Sequence, residues 1–262
     1  KDLLQSTRGW DSTAFGTMQG SETFLNVFIF FLIFAGIILD KMGVRFTAVL
    51  SGVVMVIGAA INWYALTDAF LGSSLEEWFT THLNYIPGFD ELGISPFYEG
   101  MPASAKLSAV GFMIFGCGCE MAGITVSRGI VKWFKGREMA LAMGSEMALA
   151  RLGVATCMIF SPVFAEMGGT VNVSRSVAFG LVVLMIGLIM FVVYFFMDKN
   201  LDEQTGEAEE KDDPFKISDL GKILSSWAFW IVALLCVLYY SAIFPFQKYA
   251  VNMLQCNLSF TD

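Results

Sequence analysis

Apolar residues in this chain come in long blocks separated by short polar punctuation. Residues 24–39, "FLNVFIFFLIFAGIIL", carry no charge, and 46–66, 107–119, 177–197 and 227–247 are similarly apolar. Residues 139–165 are apolar with polar interruptions. A helix of about 20 apolar residues matches a hydrocarbon layer about 30 Å thick. The pattern predicts six spans, at 16–39, 46–67, 107–131, 139–163, 175–197 and 227–250. The fold class is therefore all-α, a polytopic helical membrane protein.

The connections alternate in charge. "DKMGVR" (40–45) and "KWFKGRE" (132–138) are short and basic, whereas 68–106 is long, acidic and offers only His82 and Lys106 as basic groups. The turn at 164–174 has no Lys or Arg. Lys and Arg concentrate on the cytoplasmic side of membrane proteins. That rule puts 40–45 and 132–138 inside, with 68–106 and 164–174 outside. Residues 198–226 return inside as a charged linker, with an amphipathic helix expected near 215–224.

Composition agrees with this reading and removes other functions. The chain is 56% hydrophobic and only 15% charged, where a soluble domain is about a quarter charged. The net charge of −8 is concentrated in 68–99 and 198–219, so it describes loops. With no basic face, nucleic acid is not an expected partner. One His, and five Cys that fall mainly inside apolar helices, suggest neither a metal site nor a disulfide framework. No cofactor is expected. No nucleophile–base pair or phosphate loop is visible, so the chain does not read as an enzyme.

Two segments carry a family pattern. "GIILDKMGVR" holds Gly36, Asp40, Gly43 and Arg45, and resembles motif A of the major facilitator superfamily, G-x-x-x-D-x-x-G-R/K-R/K. Gly36 would allow close helix approach. Asp40 would pair with a basic residue or cap a helix, Gly43 would permit the turn, and Arg45 would anchor at the headgroups. "RGIVKWFKGREMALAMGSEMALARLG" (128–153) is similar to the helix 4–loop–helix 5 segment of the same superfamily. Its Ala, Gly and Ser residues suggest tight helix crossing. "WFKGRE…ARLG" and "YYSAIFPF" (239–246) resemble its dipeptide-transporting branch.

The resemblance implies a twelve-helix transporter of two six-helix halves, of which this chain holds helices 2–7. Residues 1–197 would be the N-terminal half without helix 1, and 198–226 the central cytoplasmic loop. Residues 227–262 would begin the C-terminal half with helix 7; helices 8–12 would lie elsewhere.

The stretch "GCGCEMAG" (116–123) places Glu120 in a membrane helix. Glu120 and Arg151 lie at similar distances on either side of the basic turn, which sets them near mid-membrane on adjacent antiparallel helices. An ionisable residue there costs about 2.5–3.5 kcal/mol on insertion scales. Such a pair either neutralises itself across two helices or receives the ends of a zwitterion. In the branch it resembles, the matching Glu and Arg would hold a substrate's amino and carboxylate termini, the Arg fork suiting a carboxylate. The branch's paired tyrosines match Tyr239 and Tyr240, which would donate hydrogen bonds to substrate or serve packing.

The implied function is transport of small zwitterionic or anionic metabolites, di- and tripeptides favoured, by rocker-switch alternating access. Motif A would help close the cytoplasmic side. An organic-anion or monocarboxylate exchanger or symporter is the alternative, and a non-transporting receptor or accessory subunit the alternative of another class. Expected partners are a peptide or organic-anion substrate, protons as candidate coupling ion, and the lipid bilayer. A bacterial inner membrane is favoured, with an organellar membrane as the other setting.

Overall fold

The computed structural model describes residues 2–134, 138–205 and 217–258. Ten helices follow one another among these residues: α1 (Asp2–Arg8), α2 (Ser12–Ser21), α3 (Phe24–Phe28), α4 (Phe31–Ala65), α5 (Ser74–His82), α6 (Ala103–Trp133), α7 (Met139–Glu166), α8 (Val173–Thr205), α9 (Ile217–Leu224) and α10 (Trp227–Leu258). They form two compact units, residues 1–212 and 213–262.

Among the described residues, five helices are long and apolar enough to cross a membrane: Phe31–Ala65, Ala103–Trp133, Met139–Glu166, Val173–Gln204 and Trp227–Gln247. The difference from the six predicted spans lies in the first two. Residues 16–39 are not one helix: α2 ends at Ser21, and a second break falls at Phe30, which adopts a left-handed conformation (φ 55°). The last part of this stretch continues into α4, which is two helical runs joined at Gly43 (φ 79°, ψ 168°). That backbone is open to glycine and strained for other residues.

Contacts along α6 show that the chain reverses at Gly43. Going down α6, Trp10 bonds Ser104, Ser21 bonds the Ala109 carbonyl, and Asp40 pairs with Arg128. The approach to Gly43 therefore runs parallel to α6. Beyond it the order inverts: Val44 lies by Gly129, Ser51 and Met55 by Gly118, Gly58 by Gly111, and Asn62 by Ser108. The second run of α4 is antiparallel to α6 and very close to it. A methyl group added at Gly58 would overlap the Phe115 backbone nitrogen and stand 2.6 Å from the Gly111 carbonyl oxygen. Without a hydrophobic force between helices inside lipid, close backbone packing of this kind supplies the cohesion.

α8 lies on the other side of α4, with Leu188 and Phe191 against Gly52. α7 packs on α8 through stacked Phe164 and Phe179 (4.2 Å) and a bond from the Ser176 hydroxyl to the Ser161 carbonyl (2.6 Å). The small residues of α7 behave differently from expectation. Nothing stands within 4 Å of a methyl placed at Gly144 or Gly153; the tight crossing is between α4 and α6.

The acidic connection 68–102 is a folded cap. Ser73 caps α5 by accepting from Glu76 N (3.2 Å), while the Glu76 carboxylate accepts from Gly72 N (2.6 Å). Trp10, Phe70, Phe97 and Met101 are buried beneath it, together with Leu66 and Ala105. Lys106 is 1% exposed and donates to the Phe79 carbonyl (3.0 Å) and Asn84 Oδ1 (2.7 Å). His82 ends α5 and stacks on Trp78.

In the second unit, Trp230 Nε1 donates to the Leu224 carbonyl (2.8 Å), joining α10 to α9. α9 occupies 217–224, within the segment expected to form an amphipathic helix. Helical structure in α8 continues through Thr205, and 206–216 of the predicted linker lie outside the described residues.

Candidate functional site

Two groups of polar residues sit on the membrane helices of the first unit, one at the reversal at Gly43 and one midway. The first group grows from that reversal. Asp40, in the last turn before it, accepts from Arg128 at 2.5 Å. Arg128 is therefore held by α4 rather than extended alone toward the membrane surface. Gly36 meets nothing within 4 Å of its added methyl.

Arg45 corrects the expectation of a headgroup anchor. Its Nε lies 3.4 Å from Asp198, and its terminal nitrogen donates to Asp202 at 2.8 Å. Lys132 joins the same two carboxylates at 2.7 and 2.9 Å. Asp198 is fully buried and also accepts from Trp133 Nε1 at 2.8 Å and from the Tyr194 hydroxyl at 3.4 Å. Two cations and two carboxylates thus bind α4 just past Gly43, the last turns of α6 and the later part of α8 into one lattice. Sequence reading missed both aspartates by assigning them to the linker. The available signal was their i, i+4 spacing, which puts them on one helix face, directly after an apolar run.

The midway group contains Glu120. Counted along their helices, Glu120 lies 13 residues before the end of α6 and Arg151 lies 12 residues after the start of α7. At 1.5 Å per residue these are rises of about 20 and 18 Å. Both side chains are exposed in this unit, and among the described residues no ion pair joins them. The two ends of the pair are at matched height and are not consumed by each other.

Glu22 enters this region as well. It sits in the break between α2 and α3, and its carbonyl touches α6 where a side chain at Gly116 would stand. Glu120 is one turn further along that face, and the Glu22 carboxylate is within electrostatic reach of it. The helix break brings Glu22 against α6.

Tyr239 and Tyr240 belong to the second unit. Both lie on α10 and are about half exposed, at 52% and 50%. Their rings meet edge-on at 5.4 Å, and Tyr240 stacks on Phe244 at 5.1 Å. Pro245 is inside the same helix. Among the described residues no cluster of three or more His, Cys, Asp or Glu is arranged to hold a metal ion.

Chemically, the charge lattice is a fastening, and Glu120 and Arg151 are opposite charges that no ion pair joins among the described residues. Comparison with known proteins bears on both. The family model described as Major Facilitator Superfamily matches residues 2–259. Among curated proteins, the lysosomal dipeptide transporter MFSD1 of Gallus gallus is 28% identical over 148 residues, covering 53% of this chain and 33% of the relative. Its counterparts from Danio rerio and Homo sapiens are 29% and 26% identical over the same length, covering 32% and 31% of the relatives. The match thus spans about a third of the length of these relatives. No solved structure shows significant similarity to the chain.

Proposed function

Because this chain belongs to the major facilitator superfamily, we propose that the protein it comes from moves small zwitterionic metabolites across a membrane, di- and tripeptides first among them. Glu120 on α6 receives the substrate's ammonium group and Arg151 on α7 its carboxylate. Tyr239 and Tyr240 on α10 supply hydrogen bonds to the substrate. The two halves rock about the bound substrate, alternating access from one side to the other. Residues 1–197 serve as part of the first half, 198–226 as the link between halves, and 227–262 as the start of the second.

The observation that carries this reading is the equal height of an exposed Glu and an exposed Arg on consecutive helices, unpaired with each other. An ionisable residue at mid-membrane depth is expensive and is characteristically functional. A zwitterion supplies both missing counter-charges at once. The names of the relatives, lysosomal dipeptide transporters, support a peptide over a monocarboxylate. They also favour an organellar membrane over a bacterial inner membrane, and fluorescence localisation of the tagged complete protein decides between them. Asp40, Gly43 and Arg45 act in this scheme through the cytoplasmic lattice, which keeps α4, α6 and α8 moving as one body.

The test is uptake of a labelled dipeptide by the complete protein in proteoliposomes, with lactate and oxalate as competing labels. Glu120→Gln and Arg151→Lys should each lower dipeptide uptake by tenfold or more, about 1.4 kcal/mol per decade. Lys keeps the charge of Arg151 and loses its two-pronged geometry. Dipeptide uptake that survives both substitutions would remove these residues from the site.

A further inference from the structure

The first membrane stretch holds a short helix between two breaks. α3 has only five residues, and neither Thr23 before it nor Phe30 after it caps the following helix through its side chain. Phe30 takes a left-handed backbone (φ 55°), which strains a residue with a bulky side chain. Its ring is 64% exposed in this unit, so packing of the ring does not hold it there.

Asn26, in the middle of α3, adds a second cost. Its Nδ2 and Oδ1 are both out of reach of water and, among the described residues, have no hydrogen-bond partner. A buried amide without partners is costly, and at membrane depth only neighbouring groups or water in a cavity can satisfy it. Native structures rarely keep such a group without a reason. A strained backbone and an orphaned amide within five residues mark a segment that has a second arrangement.

The cap grips α3 from one side. Phe89 stands 5.2 Å from the Phe24 ring and 5.4 Å from the Phe28 ring. The turn that carries Phe89 is closed by its own bonds, from Ile94 N to the Phe89 carbonyl at 3.1 Å and from Ile86 N to Ser95 Oγ at 3.2 Å. The two gripped rings differ in burial. Phe24 is 7% exposed and shares a core with Leu66 and Met113, whereas Phe28 is 40% exposed. The Phe24 end is therefore the pivot, and Phe28 on Phe89 is the contact that can release.

We propose that α3 is a pivoting segment with two positions. In the position described here Phe28 is latched on Phe89 and the Asn26 amide is stranded. In the other the latch is open, α3 tilts about Phe24, and the amide reaches water. The cost at Asn26 offsets the grip of Phe89, which keeps the two positions close in free energy. The purpose of the motion rests on the alternating access proposed above; the motion itself needs no substrate.

Hydrogen–deuterium exchange of the complete protein in lipid nanodiscs, without substrate, reads the motion directly. Asn26→Leu removes the stranded amide and should slow exchange of the amides of 24–30 by about tenfold. Phe28→Ala opens the latch and should quicken the same amides by about tenfold. Exchange that is equal in the two variants, or that moves in the same direction in both, would overturn the proposal. Should Asn26→Leu fail to fold, Asn26→Ala gives the same comparison. In proteoliposomes Asn26→Leu should lower the turnover of dipeptide uptake by about tenfold while leaving KM unchanged, a split that loss of a substrate contact or of folded protein does not produce. Full turnover in Asn26→Leu would remove α3 from the transport cycle. A complete protein that carries no dipeptide would count against the substrate, and the exchange measurements would still decide the motion.

Discussion

Asp198 is the residue on which the charge lattice depends most. It is completely buried, and it accepts close bonds from Lys132 (2.7 Å) and Trp133 (2.8 Å) and longer ones from Arg45 and Tyr194 (both 3.4 Å). A hydrogen bond involving a charged group contributes about 1.5–3 kcal/mol. Breaking a buried ion pair by deleting one partner costs about 3–5 kcal/mol. Asp202 moderates the loss, because it still holds Arg45 at 2.8 Å and Lys132 at 2.9 Å. Asp198→Ala should therefore destabilise the first half by about 3 kcal/mol, toward the lower end. Asp198→Asn should fall between, keeping the acceptor for Trp133 and losing the charge. Asp202→Ala, at a site 13% exposed, should cost less than Asp198→Ala. By contrast Asp40→Asn disrupts a pair that is 30% and 35% exposed and should cost about 1 kcal/mol or less. The assay is reversible unfolding of the complete protein by SDS in mixed micelles, followed by circular dichroism. A loss below about 1 kcal/mol for Asp198→Ala would refute the reasoning, since no buried charge network would then be present. So would an Asp40 variant that costs as much as the Asp198 variant.

Glycine substitutions should separate close packing from mere smallness. Gly58→Ala collides with the α6 backbone and should abolish folded, monodisperse protein in size-exclusion chromatography, while Gly153→Ala should leave the profile unchanged. Equal behaviour of the two would contradict the α4–α6 crossing. In the outer cap, burial first, and then the bond from its hydroxyl to Asp11, push the Tyr98 phenol up to about 12 from an ordinary 10.0. A group raised in the folded state contributes stability that is fully present below its unfolded value. That contribution should be lost as pH rises from about 10 to about 12. Ultraviolet difference titration of wild type against Tyr98→Phe should show one phenol ionising late; a Tyr98 that titrates with the exposed phenols would count against the cap.

Span positions were legible because a membrane demands apolar length, and length is visible in one dimension. Five of the six predicted segments match the long helices closely. The first did not, because an unbroken apolar run says nothing about the left-handed backbone at Phe30 or the break at Glu22. The reversal at Gly43 was readable, since a D-x-x-G turn needs glycine there. The outer cap was invisible for the opposite reason. Its buried Phe70, Phe97 and Met101 are spaced irregularly among acidic and turn residues, and only folding brings Phe97 and Met101 onto Trp10 and Ala105, and Phe70 onto Ala65 and Leu107. At the candidate site, the heights of Glu120 and Arg151 follow from counting residues, whereas the nearness of Glu22 depends on a helix break. Small residues in α7 suggested a tight crossing that is not found there; among the described residues the close approach is at Gly58, Gly111 and Gly118 of α4 and α6.

The length of α6 has a consequence for how the molecule holds together. Its 31 residues rise about 46 Å, some 16 Å more than the hydrocarbon layer. Its first turns therefore stand in water like a mast, and it is there that Trp10, Phe97, Met101 and the buried Lys106 gather. Above the bilayer, apolar groups are driven together by water. Below that line the surroundings are as oily as the side chains, and only shape and hydrogen bonds distinguish neighbours from lipid. One helix thus serves two solvents. Urea should loosen its upper end first and strong detergent its lower, so the same polypeptide has two independent ways to come apart.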